Sequence, residues 1–176
     1  MRRLRTAVAA RLEQSGGGPY KGEDEESEPP MTAKPASSAI LERDGRYLLV
    51  LRRNPPAADM YAFPGGRAEP GESPAETALR EFREETGISA RDPRLYATYD
   101  LNSRSTASHF FLSVFRVEAD ADAVAVAADD AADLGWFTAE EISSLPAPES
   151  VRDCIRRLEA DRGRADAAPP QPGGLR

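Results

Sequence analysis

Three glutamates, Glu81, Glu84 and Glu85, stand at positions i, i+3 and i+4. On a helix, at about 100° per residue, they share an arc of roughly 100°. Like charges so placed repel by a few tenths of a kcal/mol per pair. The C-terminal half of a helix adds an unfavourable dipole for anions. Arg80 and Arg83 interleave with them and soften the repulsion. A solvated acidic face is the plain reading of such a cluster. The chemical reading is a bound cation: convergent carboxylates suit Mg²⁺ or Mn²⁺, which prefer oxygen ligands and also take phosphate oxygens.

The residues upstream spell the helix that would carry them. Gly65-Gly66-Arg67-Ala68-Glu69-Pro70-Gly71-Glu72 is a loop rich in Gly and Pro. Ser73 can cap, Pro74 takes the first helical position and Glu76 closes a capping box. The helix is expected to run to Thr86 and stop at Gly87 in a left-handed conformation. Ala75, Ala78, Leu79 and Phe82 form its core-facing stripe.

Composition narrows the chemistry. The chain has 176 residues, 30 acidic and 23 basic, for a net charge of −7, with 40% hydrophobic residues. One cysteine, Cys154, and one histidine, His109, leave no disulfide framework and no Cys/His metal cluster. Cys154 reads as a small core residue. The acidic balance speaks against a nonspecific grip on nucleic acid, and no apolar run reaches the roughly 20 residues of a membrane span. Carboxylate chemistry remains.

Ser38 to Glu42 and Arg46 to Arg52 are apolar runs around Asp44-Gly45, which predicts a hairpin. Leu95 to Leu101 and His109 to Val117 read as strands, the latter apolar on both faces and so buried on both. A short strand, Leu134 to Phe137, precedes a second capping box at Thr138 to Glu141. Val151, Cys154, Ile155 and Leu158 mark a docking helix. The expected boundaries are a disordered or misassigned extension over 1–32, a folded domain over 33–161 and a disordered tail over 162–176.

The spacing around the glutamates is specific. Gly66, five residues, Glu72, seven residues, Arg80-Glu81-Phe82, one residue, Glu84-Glu85, one residue, Gly87-Ile88 resembles the signature box of the Nudix hydrolase family, here over 66–88. Its seven fixed residues would match by chance on the order of once in a hundred million starts. Tyr61-Ala62-Phe63-Pro64-Gly65-Gly66 and Gly135-Trp136-Phe137 are similar to flanking features of the family. The resemblance implies an α/β fold, an α/β/α sandwich around a mixed sheet. It implies Glu81, Glu84 and Glu85 as catalytic metal ligands, with the Gly65 or Gly66 carbonyl as a further ligand. Glu72 and Arg80 would be structural partners, and Gly66 and Gly87 would serve backbone conformation. The cofactor would be Mg²⁺, with Mn²⁺ as a substitute, and the general base Glu81 or Glu84.

The implied activity is hydrolysis of a nucleoside diphosphate derivative. Arg52-Arg53-Asn54-Pro55-Pro56 and the acidic pair before Trp136 resemble bacterial ADP-ribose pyrophosphatase-type members, so ADP-ribose or a related sugar nucleotide is the lead substrate. A nucleoside triphosphate pyrophosphohydrolase and a non-catalytic nucleotide sensor are the alternatives. Arg52, Arg53, Arg67, Tyr61 and Asp130 are candidate substrate contacts; for Asp130 an ordinary turn in an Ala/Asp-rich loop competes. His109 reads as a packed or hydrogen-bonded bystander. The expected partner is a small nucleotide, with no nucleic acid and no membrane, in the cytoplasm; many relatives dimerise, which keeps a homodimer open.

Overall fold

The computed structural model describes residues 33–54, 57–103, 108–127 and 131–167. The expected N-terminal extension, Asp129, Asp130 and residues 168–176 lie outside the described residues. Asp44 and Gly45 both have positive φ, 51° and 72°, the requirement of a type I′ turn whose twist matches the strands it joins. That turn connects β2 (Glu42–Arg43) to β3 (Arg46–Arg52). The hairpin is shorter than the sequence predicts. Only Glu42 and Arg43 pair with β3, because the preceding strand, β1 (Lys34–Ile40), belongs to another sheet. There its two edges are taken by β5 (Gly65–Arg67), antiparallel, and β7 (Ser108–Glu118), parallel.

The first sheet has the order β5-β1-β7-β6, with β6 spanning Arg91–Ser103. Mixed pairing follows from the single parallel pair, β1 with β7. The second sheet is antiparallel: β3 pairs with β2, with β4 (Tyr61–Ala62) and with β8 (Ala131–Phe137). Side chains alternate across each strand, so both sheets feed two cores. Ala39, Leu41, Leu48, Phe115 and Val117 pack with Ala78, Phe82 and Ile88 under α1 (Pro74–Thr86). Ile40, Tyr47, Leu49 and Val114 pack on the other side with Val151, Cys154, Ile155 and Leu158 of α3 (Glu149–Ala167). The result is an α/β/α sandwich. β7 is buried on both faces only at Ser113, Val114 and Phe115, while Phe111 near its start stays 46% exposed and Arg116 beyond them is exposed.

Both capping boxes form, at Ser73/Glu76 for α1 and at Thr138/Glu141 for α2 (Ala139–Ser144). Gly87 ends α1 at φ 71°, its N–H donating to the Arg83 carbonyl. α3 continues to Ala167, past the boundary expected at 161. The apolar stripe stops at Leu158, but a polar network carries the helix further. Arg162 donates to Glu42 and to Glu159, the latter at 2.9 Å, and Tyr47 Oη donates to Glu159 at 2.7 Å. Burial and the Glu159 bond raise the Tyr47 pKa. Cys154 is fully buried in the core, its thiol pushed up chiefly by burial. No helix among the described residues is long and apolar enough to cross a membrane.

Candidate active site

The site begins with two glycines that no larger residue replaces cheaply. Gly65 and Gly66 lie in β5, opposite Ser38 and Ser37 of β1. A Cβ on Gly65 would sit 2.3 Å from the Ser37 carbonyl oxygen and 2.5 Å from Ser38 Cα. A Cβ on Gly66 would sit 2.5 Å from the carboxyl carbon and both oxygens of Glu81. The first glycine lets strands meet, and the second lets a carboxylate lie against the loop. Glu85 is buried, and its Oε2 accepts from the Gly65 N–H at 2.9 Å. The three glutamates are therefore graded in exposure: Glu85 is buried, the Glu81 side chain is 17% exposed and that of Glu84 39%.

One guanidinium organises the outer part of this cluster. Arg80 Nε and Nη2 donate to the two oxygens of Glu72 at 2.6 and 3.0 Å, the bidentate geometry that makes such pairs strong. Its Nη1 donates to both Glu81 and Glu84 at 2.9 Å, and Nη2 also reaches the Arg67 carbonyl at 3.0 Å. All five N–H donors of Arg80 are thus used. Glu72 further accepts from the Glu69 N–H and from Thr77 Oγ1, so it ties loop to helix. Its carboxyl is held down at about 2, first by the Arg80 bonds and next by the Glu69 amide. Glu81 moves the other way: burial raises it, with the Arg80 and Arg52 charges pulling against the shift. Among the described residues, no three His, Cys, Asp or Glu side chains are already gathered as a metal cage. Arg80 occupies the space between Glu81 and Glu84 instead.

Beside the glycines opens a cavity of about 450 Å³, within the range of small-molecule sites. Its lining is largely apolar, with Phe63, Leu112 and Val114. Arg52 and Arg67 contribute to it beside Gly65 and Gly66. Asp100 and Asn102 of β6 and the start of α3 at Glu149 and Ser150 also line it. Of the sequence candidates, Arg52 and Arg67 line this cavity. Arg67 is exposed and stacks 5.4 Å over the Phe110 ring. Arg53 is exposed and away from the lining. Tyr61 is a correction: its ring packs edge-on against Phe137 at 5.1 Å, outside the lining. Being next to Ala62 in a strand, it faces the opposite way. Asp130 lies outside the described residues. His109 Nε2 bonds Asp100 Oδ1 at 2.6 Å, so it supports a lining residue. Asp100, Asn102 and Ser38 are site residues that sequence reasoning missed. They reach the cavity through the pairing of β1, β7 and β6, and no local motif marks them.

Glutamates of graded burial thus lie against a pair of glycines beside a cavity of small-molecule size. Residues 32–158 match the family model described as the NUDIX domain. The chain belongs to that family, whose members generally use divalent metal ions. It is 32% identical over 111 residues to the ADP-ribose pyrophosphatase of Methanocaldococcus jannaschii, covering 63% of each chain. It thus spans less than two thirds of that relative's length. The fold is similar to the MutT Nudix hydrolase from Burkholderia pseudomallei, with TM-score 0.67 and 24% identity over 72% of this chain and 98% of that one. It is also similar to a bifunctional NMN adenylyltransferase/ADP ribose pyrophosphatase from Francisella tularensis, complexed with AMP and a Mn ion. There the TM-score is 0.61 and the identity 24%, over 74% of this chain and 42% of that one.

Proposed function

We propose that this protein hydrolyses the pyrophosphate linkage of a nucleoside diphosphate derivative, ADP-ribose or a related sugar nucleotide, to a nucleoside monophosphate and a sugar phosphate. The carrying observation is the packing of Glu81 and Glu85 against Gly65-Gly66, two residues that line the cavity. The donor set there is all oxygen, and the close Gly66–Glu81 approach brings backbone and carboxylate together, which fits a hard divalent cation. Glu81, Glu84 and Glu85 would hold Mg²⁺, or Mn²⁺ in its place, with the Gly65 or Gly66 carbonyl. When bound, such an ion neutralises diphosphate charge and eases deprotonation of water.

The protein's own residues supply the rest. Glu85, fixed on the Gly65 amide, holds the loop in register with the helix. Glu81, which packs against Gly66, is the general base we favour of the two candidates, Glu81 and Glu84. Its Oε atoms would take the proton from attacking water. Glu72 and Arg80 fix the helix that carries both. The apolar floor shelters a nucleoside or sugar and excludes water. The ADP-ribose pyrophosphatase relative supports the choice of substrate, and a nucleotide substrate is the ground for a cytoplasmic setting.

The test is a substrate panel with Mg²⁺: ADP-ribose, sugar nucleotides, dinucleotides and deoxynucleoside triphosphates, with Glu85→Gln alongside. AMP from ADP-ribose, and a loss of at least about 100-fold in the variant, is the expected result. Triphosphates cleaved to monophosphate and pyrophosphate would keep the chemistry and overturn the substrate. Binding without turnover across the panel would make the protein a nucleotide sensor.

A further inference from the structure

We infer that Arg43 is a positioning residue: it latches residues 119–127, between β7 and β8, onto the end of α1, and through them keeps Glu85 on the Gly65 amide. The inference rests on the proposed function for the role of Glu85 as a metal ligand. The loop starts where β7 ends, and Ala123 N–H closes a turn on the Asp120 carbonyl at 3.1 Å. Ala119, Ala123 and Ala125 pack against the core of Phe82, Ile88 and Phe115 under α1. Alanines hold a loop weakly, because each buries little apolar area. Val124 and Val126 stay 77% and 61% exposed and add little.

The missing hold comes from Arg43, on β2. Its Nη1 donates to the Ala123 carbonyl at 3.0 Å and its Nη2 to the Asp120 carbonyl at 2.8 Å, so one guanidinium spans the turn. The same guanidinium lies 4.9 Å over the Trp136 ring, within cation–π range, and Trp136 packs on the same core as the alanines. Arg91 adds a second strap, from Nη1 to Asp120 Oδ1 at 2.8 Å. Its partners are 52% and 76% exposed, where an ion pair contributes little.

The far end of the loop reaches the site. Val126 N–H donates to the Thr86 carbonyl at 2.9 Å. Thr86 is the last residue of α1 and is fully buried, and the last four carbonyls of a helix have no partner within it. Gly87 serves the Arg83 carbonyl, and Val126 serves that of Thr86. Without Val126, a buried acceptor would be left unsatisfied, which costs more than an ordinary hydrogen bond yields, and opening the last turn relieves that cost. The same turn carries Glu85, whose Oε2 accepts from the Gly65 N–H at 2.9 Å. The contacts thus run without a break from Arg43 through the 120–123 turn, Val126 and Thr86 to Glu85. Such a route becomes coupling when a change at one end is felt at the other.

The experiment compares wild type, Arg43→Ala, Arg43→Lys and Arg91→Ala, each as the purified full chain, by amide hydrogen exchange, Mn²⁺ titration and fluorescence of Trp136, the one tryptophan. In Arg43→Ala, exchange is expected to rise about tenfold at Val126 and about threefold at Gly65, and to stay unchanged at Val114 in the middle of β7. Mn²⁺ affinity is expected to fall about tenfold, the scale of one lost hydrogen bond to a charged group. Arg43→Lys keeps a cation for Trp136 and a donor for the turn, so it is expected to recover part of each loss with near wild-type emission. Arg91→Ala is expected to match wild type throughout. Exchange that rises at Val126 but not at Gly65 overturns the inference, because the loop then stops short of Glu85. A rise at Val114 of the same size also overturns it, because Arg43 then supports the fold as a whole. If Arg43→Ala does not fold, Arg43→Lys decides, since its smaller losses must appear at Val126 and Gly65 together. Amide exchange needs neither metal nor substrate. A failed substrate panel, or a wild type that does not bind Mn²⁺, would therefore sink the proposed function and still leave Gly65 to decide on Arg43.

Discussion

The adjacent glycines of β5 should respond to the same added methyl group in opposite ways. In Gly66→Ala the new Cβ starts 2.5 Å from the Glu81 carboxyl group. An ordinary contact needs about 3.5 Å, so the carboxylate must retreat by about 1 Å. It can do so, being the end of a flexible side chain, and Gly66 is not at positive φ. The fold should survive and the chemistry should not: a 1 Å misplacement costs about 100-fold in rate. In Gly65→Ala the Cβ meets the Ser37 carbonyl at 2.3 Å and Ser38 Cα at 2.5 Å. Those are backbone atoms of a strand held on its other edge by β7, so the β1–β5 pairing must open. Overpacking of about 3 kcal/mol lowers the Tm of a chain this size by about 6–12 °C. Thermal melts and ADP-ribose turnover, measured on both variants, decide the matter. A Gly66→Ala protein with wild-type kcat, or one that melts as low as Gly65→Ala, would refute the reasoning.

Three further outcomes are expected. The Glu72 carboxyl sits at about 2 against an ordinary 4.5, so its contribution to stability is complete above about 4.5 and is lost as pH falls toward 2; the Tm of Glu72→Gln should be lower at neutral pH and flatter across that acid window. Burial raises Glu81, so the ionised form is a burden to the metal-free fold, and Glu81→Gln should raise the Tm in chelator while abolishing turnover. Truncation after residue 161 removes Arg162 from Glu42, Glu159 and Tyr47; a loss of about 1–2 kcal/mol predicts a Tm lower by about 2–8 °C, read by thermal melt with turnover retained.

What was legible in the sequence was whatever local physics determines. The Ser73 and Thr138 caps, the Gly87 stop and the Asp44-Gly45 turn each rest on a few consecutive residues, and each forms. The stripe of α3 through Leu158 is buried as its spacing predicts. The partner of β1 was not legible, because Ala39, Ile40 and Leu41 are apolar on both faces and fit either sheet. The length of α3 was hidden for the opposite reason: beyond Leu158 it is held by Arg162 and Glu159, which look like any solvated residues until Glu42 and Tyr47 are brought to them. Within the site, the glutamates share one face by helical geometry, but their graded burial depends on how close Gly65 and Gly66 approach α1. The part of the lining at Asp100 and Asn102 depends on strand pairing alone.

The two arginines beside the glycine loop show why residue type cannot separate scaffold from ligand contact. Both Arg80 and Arg52 lie within reach of Glu81, and both carry the same five donors. Arg80 spends every donor on the protein, on three carboxylates and a carbonyl, so a ligand could recruit it only by breaking bonds already made. Among the described residues Arg52 spends one, on a carbonyl. An interaction that must first be broken adds little net binding, whereas an open donor facing a cavity of low polarity adds the strength of a charged hydrogen bond. Arg80→Lys should therefore act through the fold, losing the bidentate hold on Glu72 and lowering the Tm with pyrophosphate affinity unchanged. Arg52→Lys should act through binding and leave the Tm alone. A single pair of melts and titrations separates the two, and an Arg80→Lys protein that keeps its Tm but loses pyrophosphate would reverse the assignment.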